Sequence, residues 1–208
     1  MKRIAVSIAA LATLLTAAQA HAQLTPRNEG FMLGAHTVVA TGVTISGPGM
    51  RGQVKTERGE GVGLQIGYGF SPRMMVYGNA DLAKQATSFA IDGEMGLVHV
   101  ELGGRLTFPR PGQRLFPYVT AMVGKRGLAA SSTGGGINAQ IQITGLEVGA
   151  GGGFLYALSP VLSLDAALLG ARGKLSRVVL SGDVRSDDVV QVDNSNTIRL
   201  KVGVNWHP

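Results

Sequence analysis

Eight ionisable side chains sit at alternate positions of extended, glycine-rich segments: Asp81, Glu101, Glu147 and Asp165, against Arg105, Lys125, Arg199 and Lys201. Four acids balanced by four bases have the composition of a self-neutralising ion network. Opposite charges held close together out of water favour each other's charged form. His36 and His99 could share that face, but two histidines without a third clustered ligand do not make a metal site. The pattern therefore predicts packing roles and neither metal nor cofactor. Glu101, Ser163 and His99 are the residue types of a deacylase-like triad, yet no local motif joins them, so no catalytic residue is assigned. Gly134, Gly135 and Gly136 resemble a phosphate-cradling loop only in composition, because no Lys-Ser/Thr follows. Asp183, Asp187, Asp188 and Asp193 crowd one polar stretch without the spacing of a calcium loop, which predicts a solvated acidic loop.

A network of this kind needs a scaffold that turns alternate side chains to one side, and a β-strand does so. The last segment is the clearest case. Ile198, Leu200, Val202, Val204 and Trp206 alternate with Arg199, Lys201, Gly203 and Asn205. The same period of two recurs eight times, predicting strands over residues 30–41, 60–70, 74–84, 97–108, 115–126, 141–156, 161–172 and 196–208. Connections alternate in length. Residues 71–73, 109–114 and 157–160 are short, whereas 42–59, 85–96, 127–140 and 173–195 are long and polar or glycine-rich. This describes an eight-stranded antiparallel up-and-down meander, with the start of the first strand, the end of the last strand and the tight turns on one side, and the long loops on the other.

The ends and the composition narrow the setting. Lys2 and Arg3, then an apolar run from Ile4 to Ala18, then Ala20-His21-Ala22 before Gln23, form a secretory signal peptide over residues 1–22, with cleavage after Ala20 as second choice. Residues 23–208 form one domain. The 208 residues carry 19 basic and 13 acidic side chains, a net charge of +6 that falls to +4 without Lys2 and Arg3. That excess is mild and scattered, which argues against a nucleic-acid partner. There is no cysteine, so an exported chain is held by its fold alone.

Alternation does not say whether the apolar face meets a water-free core or lipid. The aromatic residues decide it. Phe31, Tyr68, Phe70, Phe108, Phe116, Tyr118, Phe154, Tyr156 and Trp206 all fall at the tight-turn end, and are assigned to the apolar face. A soluble, lipocalin-like barrel scatters large rings through its depth, whereas a membrane barrel gathers them at the membrane–water interface. A base facing lipid at mid-depth costs about 2–4 kcal/mol, so the charged parity is predicted to face the lumen. An open edge is not viable in lipid, so the last strand must close on the first near Phe31 to Val39. The opposite aromatic belt is weak, and the girdle is one-sided.

Three stretches carry a resemblance: P-Y-V-T-A-M-V-G at residues 117–124, G-A-G-G-G-F-L-Y-A-L-S-P-V-L-S-L-D at 149–165, and the terminal strand. The chain resembles the small bacterial outer-membrane β-barrels, the OmpA-like and OmpX-like superfamily. The resemblance implies tight turns facing the periplasm, long loops facing outside, outer-membrane lipid as surroundings, and a last strand read by the barrel-assembly machinery. Members usually end on an aromatic residue, whereas here Trp206 is followed by His207 and Pro208. The expected function is a non-enzymatic structural or surface-interaction barrel with a plugged polar lumen and an unknown external ligand. A narrow channel for small or hydrophobic solutes is the alternative, followed by a lipid-modifying barrel enzyme. On fractionation, the protein is expected with outer membranes, heat-modifiable on gels and beginning at Gln23 by N-terminal sequencing. Recovery from soluble periplasm without detergent would count against this reading.

Overall fold

The computed structural model describes residues 28–41, 44–46, 54–55, 58–86, 94–110, 112–134, 137–181 and 192–208. The predicted signal peptide, Phe89, Gly135, Gly136, Asp183, Asp187 and Asp188 lie outside them. The strands are β1 (Gly30–Ala40), β2 (Thr44–Ser46), β3 (Val54–Lys55), β4 (Gly59–Gly69), β5 (Met74–Ala86), β6 (Glu94–Thr107), β7 (Leu115–Gly134), β8 (Ile137–Ala157), β9 (Leu162–Ser181) and β10 (Val192–Trp206). Among the described residues there is no helix.

Eight of these strands form the closed wall, each antiparallel to the next in chain order. Closure joins β1 to β10, with Leu33 opposite Trp206 and Ala40 opposite Arg199. Every ladder in the wall thus has a partner on both sides, as backbone polar groups in hydrocarbon require. Beyond the end of β1, the short ribbon β2–β3 continues the wall, with Thr44 opposite Asn196. Tight turns join β4 to β5, β6 to β7 and β8 to β9. In the first, the Met74 amide donates to the Ser71 carbonyl at 3.3 Å and to Ser71 Oγ at 3.1 Å. Gly112, in the β6–β7 connection, takes φ +74°, a conformation that L side chains rarely adopt.

Two expectations need correction. Residues 127–140 are not a long loop. β7 runs on to Gly134 and β8 starts at Ile137, paired throughout up to Gly134 opposite Ile137. Alternation is weak there because the stretch is built mostly of Gly, Ala, Ser and Thr, yet the ladder needs only backbone groups. Likewise β9 reaches Ser181 and β10 begins at Val192, so Asp193 lies in a strand.

The outward parity is aliphatic along most of its length, with Val62, Leu64, Ile66, Leu102, Val148, Leu168 and Leu200 all exposed. The inward parity alternates large side chains with glycine. A Cβ on Gly103 would overlap the Tyr77 ring, one on Gly153 the Tyr118 ring, and one on Gly63 the Asp81 carboxylate and His36. These glycines are sockets, and this explains why a sheet so rich in glycine is stable: the missing side-chain volume is filled by the residue paired with it on the neighbouring strand. Gly103→Val is expected to displace Tyr77 and lower stability by about 1–3 kcal/mol in urea unfolding of the reconstituted barrel, the usual cost of overpacking. An unchanged midpoint would show that the socket is not needed.

Candidate lumen site

Polar side chains from six strands meet inside the barrel. Arg199, on β10, is fully buried and reaches across the lumen to three other strands. Its Nη1 donates to Asp81 Oδ2 at 3.0 Å, its Nη2 pairs with Glu101 Oε1, and Glu147 Oε1 stands 4.0 Å from Nη2. Asp81 also accepts from Lys201 Nζ at 2.7 Å, His36 Nε2 at 2.7 Å and Asn79 Nδ2 at 2.9 Å. Glu147 accepts from His99 Nδ1 at 2.6 Å and from Arg126, whose Nε lies 3.0 Å from Oε2. Arg126 in turn donates to Ser195. Three carboxylates thus face three bases in this layer, which is neutral as a whole when the histidines are neutral.

A second layer lies nearer the tight turns. Arg105 Nη2 donates to Asp165 Oδ2 at 2.9 Å, and Tyr118 and Asn205 donate to the same carboxylate at 2.6 and 3.0 Å. The guanidinium also stacks on the Tyr118 ring at 4.3 Å and faces the Tyr77 ring at 5.6 Å. Stacking of this kind suits a planar guanidinium better than an ammonium. Tyr77 bonds Thr120 at 2.7 Å, and Thr120 donates to the Gly104 carbonyl at 2.8 Å. Between the layers remains a cavity of about 20 Å³, bordered by His36, Asn79, Arg105, Tyr118, Lys201 and Asn205. Such a space holds about one water molecule. An apolar cluster also lies inside, against β7–β9: Phe116, Met122, Leu155, Ala167, Leu169 and Ala171 are buried together.

The strands β5, β6, β8, β9 and β10 bring Asp81, Glu101, Arg105, Glu147, Asp165, Arg199 and Lys201 into the lumen, and all seven take part in ion pairs. Lys125 is elsewhere: it is exposed on the outer wall, and its neighbour Arg126 occupies the lumen position instead. The same phase error affects two members of the expected girdle, because Phe116 and Tyr118 point inward and are buried. On β7 the lipid-facing set is Leu115, Val119 and Val123, all exposed. Tyr118 turns in because Asp165 and Arg105 offer its hydroxyl and its ring partners that lipid lacks. Phe31, Tyr68, Phe70, Phe108, Phe154 and Trp206 are exposed on the outer face, with Tyr156 half-buried on the same parity. Phe31 and Tyr68 pack edge to face, centroids 5.3 Å apart.

His99, Glu101 and Glu147 place one donor atom each within 4.8 Å of one another, a set that could hold a cation. The guanidiniums of Arg126 and Arg199 already sit on those carboxylates, so the positive charge at this point comes from the chain itself. The triad combination is not assembled: Ser163 lies beside His207 at 3.4 Å, while His99 is bonded to Glu147. His207, a trailing residue in the sequence pattern, is part of the structure. Its amide donates to the Val161 carbonyl at 2.7 Å, extending the ladder past Trp206, and its side chain is buried. Burial, reinforced by the Arg105 guanidinium, pushes its imidazole below the usual histidine value, which keeps it neutral near pH 7.

Replacing Arg199 by Met should leave Asp81 and Glu101 under-compensated. The expected loss is about 3–5 kcal/mol in urea unfolding, the cost of breaking a buried ion pair from one side. A loss below about 1 kcal/mol would mean that Lys201 and His36 suffice.

The outer membrane protein beta-barrel domain model matches residues 7–207. A search of curated proteins gives no match. Among solved structures, Neisserial surface protein A is similar with a TM-score of 0.59 at 19% identity, over 86% of this chain and 98% of that one. A major outer membrane protein from Thermus thermophilus gives 0.52 at 13% identity, over 83% and 98%. Ail, the attachment invasion locus protein of Yersinia pestis, gives 0.50 at 19% identity, over 86% and 99%. At these identities the likeness is one of fold.

Proposed function

The chain belongs to the outer membrane protein β-barrel domain family, and from that premise we propose a non-enzymatic outer-membrane protein that is sealed by its own charges and works at its surface. The observation that carries this reading is the Arg199-centred network. Side chains from β1, β5, β6, β7, β8 and β10 cross the lumen there, and the gap below it has room for about one water. A diffusion channel needs a continuous aqueous path, and an ion network neutralised within itself has little tendency to take up a hydrated ion. The narrow-channel alternative would require the network to open.

The surface role rests on strand length. A membrane-crossing β-strand needs about 9–11 residues. β7 has 20 and β8 has 21, so about half of this hairpin stands beyond the apolar band. With the tight turns toward the periplasm, the hairpin and the ribbon β2–β3 project outward, where an external ligand would meet them. The lipid around the wall, and the assembly machinery that reads the last strand, are the other partners of this reading.

Planar-bilayer recording tests the seal. Purified monomer is expected to give no large steady conductance, and Arg199→Met with Glu101→Met should raise the frequency of brief openings. A stable conductance from the unaltered protein would replace this proposal with the channel reading.

A further inference from the structure

His36 borders the gap between the two lumen layers, and its side chain is only 7% exposed. The positions paired with it on both neighbouring strands are glycines, Gly63 on β4 and Gly203 on β10. A Cβ at either would collide with the His36 side chain, so the histidine lies in a slot that a larger residue would close. Its Nε2 donates to Asp81, which leaves Nδ1 as the nitrogen that gains a proton when the ring becomes charged. Histidine is the side chain that ordinarily changes charge between about pH 5 and 8.

The charged and titratable groups around this ring come from five strands. Asp81 and Tyr77 belong to β5, Arg105 to β6, Tyr118 to β7, Asp165 to β9 and Lys201 to β10, while β4 presents only Gly63 and Gln65. Arg199, also on β10, shares the Asp81 carboxylate with His36 and Lys201. Arg105 is the exceptional member. Its side chain is buried, and its Nε and Nη1 have no hydrogen-bond acceptor among the described residues. Only Nη2 is bonded, to Asp165, and the Tyr77 and Tyr118 rings cover the guanidinium without offering it a lone pair.

Charge balance shows what the gap can take. Asp81, Glu101, Glu147 and Asp165 meet four bases, Arg105, Arg126, Arg199 and Lys201. With neutral histidines the set sums to zero. The gap of about 20 Å³ then suits a water, which can accept from Arg105 and donate to Asn79 Oδ1, a buried acceptor of the lining without a hydrogen bond. A proton on His36 takes the sum to +1 and adds an Nδ1–H donor. A buried charge needs a partner, and Asp81 is already shared with two other bases. One small anion in the gap would restore neutrality and give Arg105 the acceptor it lacks.

We propose that the lumen contains a proton-coupled halide site: when His36 is protonated, one chloride-sized anion takes the place of water between the layers, held by Arg105 Nε and Nη1 and by the imidazolium. Size selects a monatomic anion over phosphate or a carboxylate, since the gap has room for about one water. The site is read by occupancy and not by current, so it stands or falls separately from the seal.

Crystals of the intact barrel grown in sodium bromide at about pH 5.5 and about pH 8 test the proposal, because bromide is located by its anomalous scattering. One bromide is expected between Arg105 and His36 at the lower pH, and a water there at the higher. In urea unfolding of the reconstituted barrel, bromide should raise the midpoint above that in gluconate of equal ionic strength. Its apparent affinity should fall about tenfold per pH unit once the protonated form is the minor one. His36→Gln keeps a donor toward Asp81 but cannot take the proton, so the halide response at the lower pH is expected to vanish. Arg105→Lys keeps the charge beside Asp165 but not Nε and Nη1, and should weaken bromide by roughly tenfold, the worth of a hydrogen bond to a charged group. Heat-modifiable migration certifies folding of each variant, and His36→Gln decides alone should Arg105→Lys not fold. Water at both pH values, bromide at both, or a halide response that persists in folded His36→Gln overturns the proposal.

Discussion

The Arg199 guanidinium is the contact on which the interior depends. It is carried by the strand that closes the barrel, and it meets carboxylates from β5, β6 and β8. Lipid provides no hydrophobic drive toward the lumen, because the outer wall is in contact with apolar surroundings already. The charged part of the interior is held by polar contacts, and each member gains by having a partner. Arg199 serves three acids at once through its two terminal nitrogens, while its Nε is buried without a hydrogen bond. Lys201, two residues on, serves Asp81 as well, so β10 delivers both bases to the same carboxylate. Removing β10 would leave Asp81 and Glu101 without either base, and it would open two edges in the wall. Closure of the ladder and neutrality of the lumen are therefore coupled through one strand.

The glycines follow from the same constraint. An eight-stranded barrel has an interior just wide enough for side chains to fill. Long residues such as Tyr77 and Tyr118 fit only where the paired position on the neighbouring strand is empty. Gly103 and Gly153 provide that space for the two rings, and Gly63 does so for Asp81 and His36. Inward glycine and inward charge are two halves of one packing pattern, which is why both fall on the same parity of the wall.

Much of this was legible in the sequence, because a period of two is a strong signal when the two faces differ in polarity. The final strand, with Arg199 and Lys201 set against four aliphatic residues and Trp206, could be assigned without ambiguity. β7 could not, because both of its faces carry apolar residues. Phe116, Tyr118 and Met122 compete with Leu115, Val119 and Val123 for the lipid side, and position near the girdle favours the rings. The outcome turns on Asp165 and Arg105, on two other strands, which offer the Tyr118 hydroxyl and ring their partners. No local pattern contains that information. A phase error in a strand reverses every residue in it, so the misplaced rings and the exchange of Lys125 for Arg126 are one error. The extensions of β7 and β8 escaped for a different reason: beyond the membrane neither face must be apolar, so alternation fades while the ladder continues.

The one-sidedness of the girdle gains a physical meaning once Lys125 is placed outside. At the tight-turn end, Phe31, Tyr68, Phe70, Phe108 and Trp206 mark the boundary by burying amphipathic rings among head groups. At the other end the outward positions carry Lys84, Lys125, Arg172 and Lys174. Long basic side chains mark a boundary too, since their stems lie along hydrocarbon while their heads reach the polar layer. The two ends of the outer wall are therefore marked by different side chains, rings at one and long bases at the other. Lys125, expected in the lumen, is one of these outward bases, and it stands where a base can extend its stem along hydrocarbon and its head toward the polar layer.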